Sequence, residues 1–188
     1  PINFCLILQL LFRKEMVLFG KHGAEKWNVS DGAWDKLVKL LTPVVELAKN
    51  SDITLVVETG NNAMITSCFL GRKLIDDLNT EHLKVLWDPA NALYCGENPS
   101  KNALDSMEGG YLGHVHMKDV EVSIHQATIE CVALGRGQMS PHLQAISDRL
   151  NAIGYDGSMS LESVYRPSDG DFEDGFNASI EKFKNLYS

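Results

Sequence analysis

Glu58, Asp88, His116 and Glu162 stand 30, 28 and 46 residues apart, each at or just past the end of a short apolar run. The runs are ITLVV (53–57), KVLW (84–87), YLGHVHM (111–117) and SMSL (158–161). Spacings of this size accommodate a strand, a crossover helix and the next parallel strand. If the four runs are neighbours in one sheet, their side chains converge at the carboxyl ends of the strands, where parallel α/β folds bind ligands. Three carboxylates and one imidazole form an oxygen-rich donor set that suits Mn²⁺ or Mg²⁺ best, is compatible with Co²⁺ or Zn²⁺, and disfavours a thiolate-loving metal. A divalent ion also accounts for the gathering of acids, because three carboxylates packed without a cation repel and are driven toward protonation. Singly, each residue has an ordinary explanation: an acid after a strand usually caps the next helix or faces water, and a strand histidine usually makes a core hydrogen bond. The conjunction of all four is what points to a metal.

Neighbouring residues extend the candidate site. His114 shares a strand face with His116 because side chains alternate with period two. Only the one nearer the carboxyl end reaches the ligand layer, so His116 is assigned as ligand, and His114 lies deeper, in a core or substrate-binding role. Lys118, at the mouth with Asp119, could steady an anionic substrate oxygen or simply be solvated. Gly135-Arg136-Gly137 puts a cation on a flexible turn ahead of a helix, suited to a phosphate or carboxylate and equally to plain exposure. Gly60-Asn61-Asn62 could offer amides to a polyol, although such residues mostly just make turns. The chain contains no P-loop, GxSxG, GxGxxG or HExxH pattern, which argues against ATP hydrolysis, a hydrolase triad and zincin chemistry.

The elements that must position these residues alternate between strand-like runs and amphipathic segments, the mark of an α/β protein with parallel strands. Besides the four runs, Met16 to Phe19 reads as a strand. Helices are expected at about Ala33 to Lys49, with Pro43 suggesting a kink or break, and at about Met64 to Leu78. Pro89 is read as the stop after KVLW. A short helix is expected near Ala103, and Val120 to Gln138 reads as a long loop or irregular strand. Helices at about Pro141 to Ile153 and Phe172 to Leu186 complete the pattern.

The 188 residues carry 17 Lys and Arg against 25 Asp and Glu, a formal net charge of −8, which excludes a nucleic-acid binder reliant on a broad basic face. With 44% hydrophobic and 22% charged residues the chain can bury a core, and residues 1–188 are expected to form one domain. Cys5, Cys68, Cys95 and Cys131 are too scattered for a disulfide framework or zinc knot and read as reduced thiols. Ile2 to Phe12, the most apolar stretch, is too short to span a bilayer and lacks the flanks of a signal peptide. A cytoplasmic protein without membrane association is therefore expected. Pro1 opens inside that apolar run, as a processed, trimmed or fragmentary terminus would.

The segments LVVETGNN, KVLWDPAN, GHVHMKDV, LGRGQ and GYDGSMSLES, in this order, resemble the sugar phosphate isomerase/epimerase group of xylose-isomerase-like TIM barrels in the AP endonuclease 2 superfamily. The likeness runs from about Met16 to the C-terminus. It implies a (β/α)8 barrel whose divalent metal is held by Glu58, Asp88, His116 and Glu162. It also implies that the two glutamates move a proton at a carbon beside a carbonyl, through an enediolate that the metal stabilises. Two departures count against a ketose 3-epimerase: Met64 and Asn91 stand where such enzymes have a second Glu and a His. Asn91 could still hydrogen-bond a substrate hydroxyl. A full barrel takes about 250 residues, so a partial barrel of about five βα units is expected, with two open sheet edges that favour self-association.

The function this implies is isomerisation or epimerisation of a sugar, sugar phosphate or polyol. A non-catalytic truncated barrel or partner-binding fragment is the alternative. An endonuclease IV-like repair role is disfavoured by the acidic charge.

Overall fold

A computed structural model describes residues 31–187 apart from 62, 102 and 163; Ile2 to Phe12 and the strand expected at Met16 to Phe19 lie outside them. In chain order the principal elements are α1 (Asp31–Asn50), β1 (Leu55–Glu58), α2 (Cys68–Leu78), β2 (Leu83–Trp87), α3 (Pro89–Tyr94), β3 (Leu112–Met117), β4 (Asp119–Ser123), β5 (Thr128–Val132), α4 (Leu143–Ala152), β6 (Met159–Leu161) and α5 (Phe172–Tyr187). β1, β2, β3 and β6 form a four-stranded parallel sheet in that order, and β4 and β5 form a separate antiparallel hairpin. Among the described residues β1 and β6 are its edges.

The sheet has two differently employed faces. Leu55, Val57, Val85, Trp87, Val115 and Met117 belong to the main core together with Leu37, Leu41 and Val45 of α1, Leu74 of α2 and Ile146 of α4. The spacing of 37, 41 and 45 is the helical repeat that brings one stripe of α1 inward. The opposite face carries Glu58, Leu86, His114, His116 and Ser160, aligned by the register of successive strands. That register shifts by one residue between β2 and β3, where Gly113 is the additional residue. A Cβ on Gly113 would lie 2.7 Å from Lys84 Cβ and 3.0 Å from Val56 Cγ1. Only a glycine admits this bulge, which sets His114 and His116 on the same face as Glu58 and Leu86.

Several boundaries differ from expectation for local reasons. α1 runs unbroken through Pro43, which lies on its exposed side, where water can satisfy the carbonyl left without a donor. α2 begins at Cys68 rather than Met64 because Ser67 caps it, its Oγ accepting from Leu70 N at 3.2 Å. Pro89 does not stop the chain but opens α3, the position at which proline is favoured in a helix. The expected helix near Ala103 is one 3-10 turn, Leu104–Met107. Val120 to Gln138 contains the β4–β5 hairpin, whose connection places Ala127 at φ 52.

Cys68, Cys95 and Cys131 are free thiols, and Cys5 lies outside the described residues. No described helix is long and apolar enough to cross a membrane.

Candidate metal centre

Each strand of the parallel sheet delivers one polar side chain to its carboxyl edge. Glu58 is the last residue of β1, Asp88 follows β2, His116 is next to last in β3, and Glu162 follows β6. One ligand atom from each lies within 4.8 Å of all the others. Metal–oxygen bonds of about 2 to 2.5 Å put ligand atoms of one ion at most about 4 to 5 Å apart, so the four groups already occupy a coordination-sized space.

Asp88 shows how the backbone fixes this geometry. Its Oδ1 accepts from Ala90 N and Asn91 N, each at 3.0 Å, capping α3, and its N–H donates to Thr59 Oγ1 at 2.9 Å. The helix-cap explanation of this acid is therefore correct, yet it uses only one oxygen. Oδ2 turns to the cluster, where Lys118 Nζ lies 2.6 Å away. The same ammonium donates to Glu162 Oε2 at 2.7 Å.

His116 Nδ1 faces Glu58 Oε1 at 3.5 Å and Glu162 Oε2 at 3.8 Å and makes no hydrogen bond. A buried ring nitrogen without a bonded partner beside two carboxylates fits a metal-ligand role. Three hard oxygen donors and one imidazole complete a set that fits a small divalent ion.

The electrostatics follow from crowding and burial. Burial pushes the Asp88 carboxyl up to about 6, against the pull of Lys118. Burial also works against charge on Lys118, but Asp88 and Glu162 outweigh it and raise the ammonium well above its ordinary range. Glu162 is desolvated too, yet the hydrogen bond from Lys118 lowers it. For His116, Glu58 and Glu162 together override desolvation and raise the imidazole.

The remaining candidates sit at different depths. His114 gives both ring nitrogens to hydroxyls, Nδ1 with Ser158 Oγ at 3.1 Å and Nε2 with Ser160 Oγ at 2.8 Å. Its ring meets that of His116 edge to face at 5.2 Å, so it buttresses the His116 imidazole. Asn91 is buried and its side-chain amide donates to Thr59 O at 3.0 Å, tying the loops after β1 and β2 together. Arg136 is exposed. Gly60 closes a turn through its N–H to Ile65 O at 2.9 Å, while Asn62 lies outside the described residues.

The turn bearing Arg136 is pinned rather than flexible, by a residue whose role sequence reasoning missed. Asp119, 1% exposed, accepts from Val120 N and Met139 N on Oδ1, each at 2.8 Å. Its Oδ2 accepts from Gly135 N at 2.8 Å and Gly137 N at 3.0 Å. A Cβ on Gly137 would meet Asp119 Oδ1 at 2.5 Å. The glycines of LGRGQ therefore let the backbone close around this carboxylate.

Residues 10–186 match the profile of the xylose isomerase-like TIM barrel family. A xylose isomerase domain protein from Planctomyces limnophilus is similar in structure, with TM-score 0.67 and 24% identity over 84% of this chain and 53% of that one. The 3-keto-D-glucoside 4-epimerase of E. coli gives TM-score 0.64 and 21% identity over 82% and 54%. The D-psicose 3-epimerase of Clostridium cellulolyticum H10, solved with D-tagatose, gives 0.64 and 19% over 87% and 60%. This chain thus spans between about half and three fifths of the length of these structures. No curated protein matches its sequence.

Proposed function

This chain belongs to the xylose isomerase-like TIM barrel family, and from that premise we propose that its strand-end cluster binds a divalent metal, Mn²⁺ or Mg²⁺, and serves isomerisation or epimerisation of a sugar, sugar phosphate or polyol. The observation that carries the proposal is the approach of Glu58, Asp88, His116 and Glu162 to within 4.8 Å, with the His116 nitrogen unbonded. Structural neighbours that act on keto sugars support the substrate class.

A bound divalent ion would supply Lewis-acid polarisation of a carbonyl and its adjacent hydroxyl. The chain's own residues would do the rest. Among the described residues Glu58 ends the first strand of the parallel sheet and Glu162 follows the last, so their carboxylates approach the site from opposite sides. One can take a proton from the carbon beside the carbonyl and the other return one, the division of labour that epimerisation needs. Lys118 brings a cation to the same place for an anionic substrate oxygen. Met64 and Asn91 cannot act as acid or base, and Asn91 is committed to Thr59, so the reading stops at the reaction class and does not extend to a ketose 3-epimerase.

Elemental analysis of the purified chain, followed by a panel of ketoses and their phosphates in D₂O with deuterium incorporation read by NMR, tests this. We expect roughly one Mn²⁺ or Mg²⁺ per chain, lost in Glu162→Gln, and metal-dependent exchange at the carbon next to a carbonyl. Unchanged metal content in both Glu162→Gln and Asp88→Asn would overturn the assignment.

A further inference from the structure

We infer that Lys118 is a built-in counter-cation that competes with the metal for Asp88 and Glu162, holding the metal-free site together and leaving it when the ion enters. The inference rests on the metal-binding reading above and adds a device that controls it.

The geometry sets both cations on the same oxygens. Asp88 Oδ1 is committed to two backbone N–H groups of α3, so Oδ2 is the oxygen that remains for a metal, and Lys118 Nζ lies 2.6 Å from it. Glu162 Oε2, which faces His116 Nδ1 at 3.8 Å, is 2.7 Å from Lys118 Nζ. A protonated amine has three donors and no lone pair. It cannot join the ligand set, and it repels a divalent ion placed a few ångströms away. On this inference metal entry breaks two short ion pairs.

The residue is suited to leaving. It lies two positions beyond His116, at the junction of β3 and β4, and a four-carbon stem lets the ammonium swing while the backbone stays in register. Its partners across the sheet, Asp88 on one side and Glu162 on the other, are anchored where they stand, the first locked as a helix cap and the second with its backbone tied to the end of β3 through Glu162 N to Met117 O at 2.9 Å. With Lys118 in place the acids are neutralised enough to remain close. Once it is out, the ammonium stands at the mouth of a loaded site, where an anionic substrate oxygen can replace its lost partners. Metal binding would thereby precede binding of an anionic substrate.

The test uses the full chain and Mn²⁺ alone. Calorimetry measures Mn²⁺ affinity for the unaltered protein, Lys118→Met and Lys118→Arg, while reductive methylation read by peptide mass spectrometry measures the reactivity of each lysine. We expect Lys118 to be methylated at least about tenfold faster with saturating Mn²⁺, with Lys73, paired to Asp77 elsewhere, as the unchanged control. Lys118→Met should bind Mn²⁺ at least about tenfold tighter, and Lys118→Arg should show no such gain. Should Lys118→Met not fold, Lys118→Gln provides the same comparison, and the methylation of the unaltered protein stands without either. Mn²⁺ binding with unaltered Lys118 reactivity, or no tighter binding after loss of the charge, overturns the inference and leaves the metal site standing. Absence of binding to every form overturns the metal reading itself.

Discussion

Replacing Asp119 with alanine removes the carboxylate around which the 135–139 turn closes. Four backbone N–H groups, of Val120, Gly135, Gly137 and Met139, donate to it at 2.8 to 3.0 Å, and the residue is 1% exposed. A hydrogen bond to a charged acceptor contributes about 1.5 to 3 kcal/mol, and a buried donor left without one costs about 1 to 3 kcal/mol. Water entering the vacated space and relaxation of the turn recover part of this, so the net loss should be about 3 to 5 kcal/mol. In a domain of this size each kcal/mol shifts Tm by about 2 to 4 °C, which puts the expected drop at about 6 to 20 °C. Asparagine is no remedy: it retains one acceptor oxygen but turns an NH₂ toward two N–H donors. Urea unfolding of the unaltered protein, Asp119→Ala and Asp119→Asn measures the difference. A loss below about 1 kcal/mol in the alanine variant would refute the claim that this carboxylate organises the turn.

The bulge at Gly113 makes a second prediction, since an added Cβ would sit 2.7 Å from Lys84 Cβ. Gly113→Ala should cost about 1 to 3 kcal/mol in urea unfolding, and a neutral effect would mean that the strand tolerates a different register. Metal affinity should depend on pH because ligands bind deprotonated. Burial raises Asp88 to about 6 and the surrounding acids raise His116, so protons compete with the metal as pH falls through that range. Calorimetric Mn²⁺ affinity should fall with pH, by about tenfold per unit where one of the two groups takes up a proton and by up to about a hundredfold where both do; a flat profile from pH 5 to 8 would remove Asp88 and His116 from the ligand set.

What could be read directly from the chain was whatever lies close in sequence. The apolar runs before Glu58, Asp88 and Glu162, and the alternation that pairs His114 with His116, announce both the strands and the residues at their ends. The features missed depend on partners far away or on signals that are locally weak. Asp119 binds Gly135, Gly137 and Met139 across 16 to 20 residues, so nothing beside it in sequence reveals its role. The β4–β5 hairpin turns through Ile124–Gln126 and a left-handed Ala127, without the Gly or Asn that usually marks such a turn. Val120 and Val122 opposite Cys131 and Ile129 are the alternation that could have shown it.

Asp88 argues a more general point about acids at strand ends. Helix capping and metal ligation are usually weighed as rival explanations of such a residue, but a carboxylate has two oxygens and here they diverge. The Asp-Pro pair ends β2 and starts α3 at once, which leaves Asp88 with an extended backbone, φ −112 and ψ 100, and commits Oδ1 to Ala90 and Asn91. With one oxygen tied to the backbone the rotamer is fixed, and Oδ2 is held toward the cluster before any ion arrives. Thr59 reinforces this by accepting from Asp88 N at 2.9 Å, and Asn91 by donating to Thr59 O at 3.0 Å. On the proposed metal reading, the cap is thus the device that preorganises this carboxylate as a ligand. A metal entering the site would meet a carboxylate that need not give up conformational freedom, only its contact with Lys118.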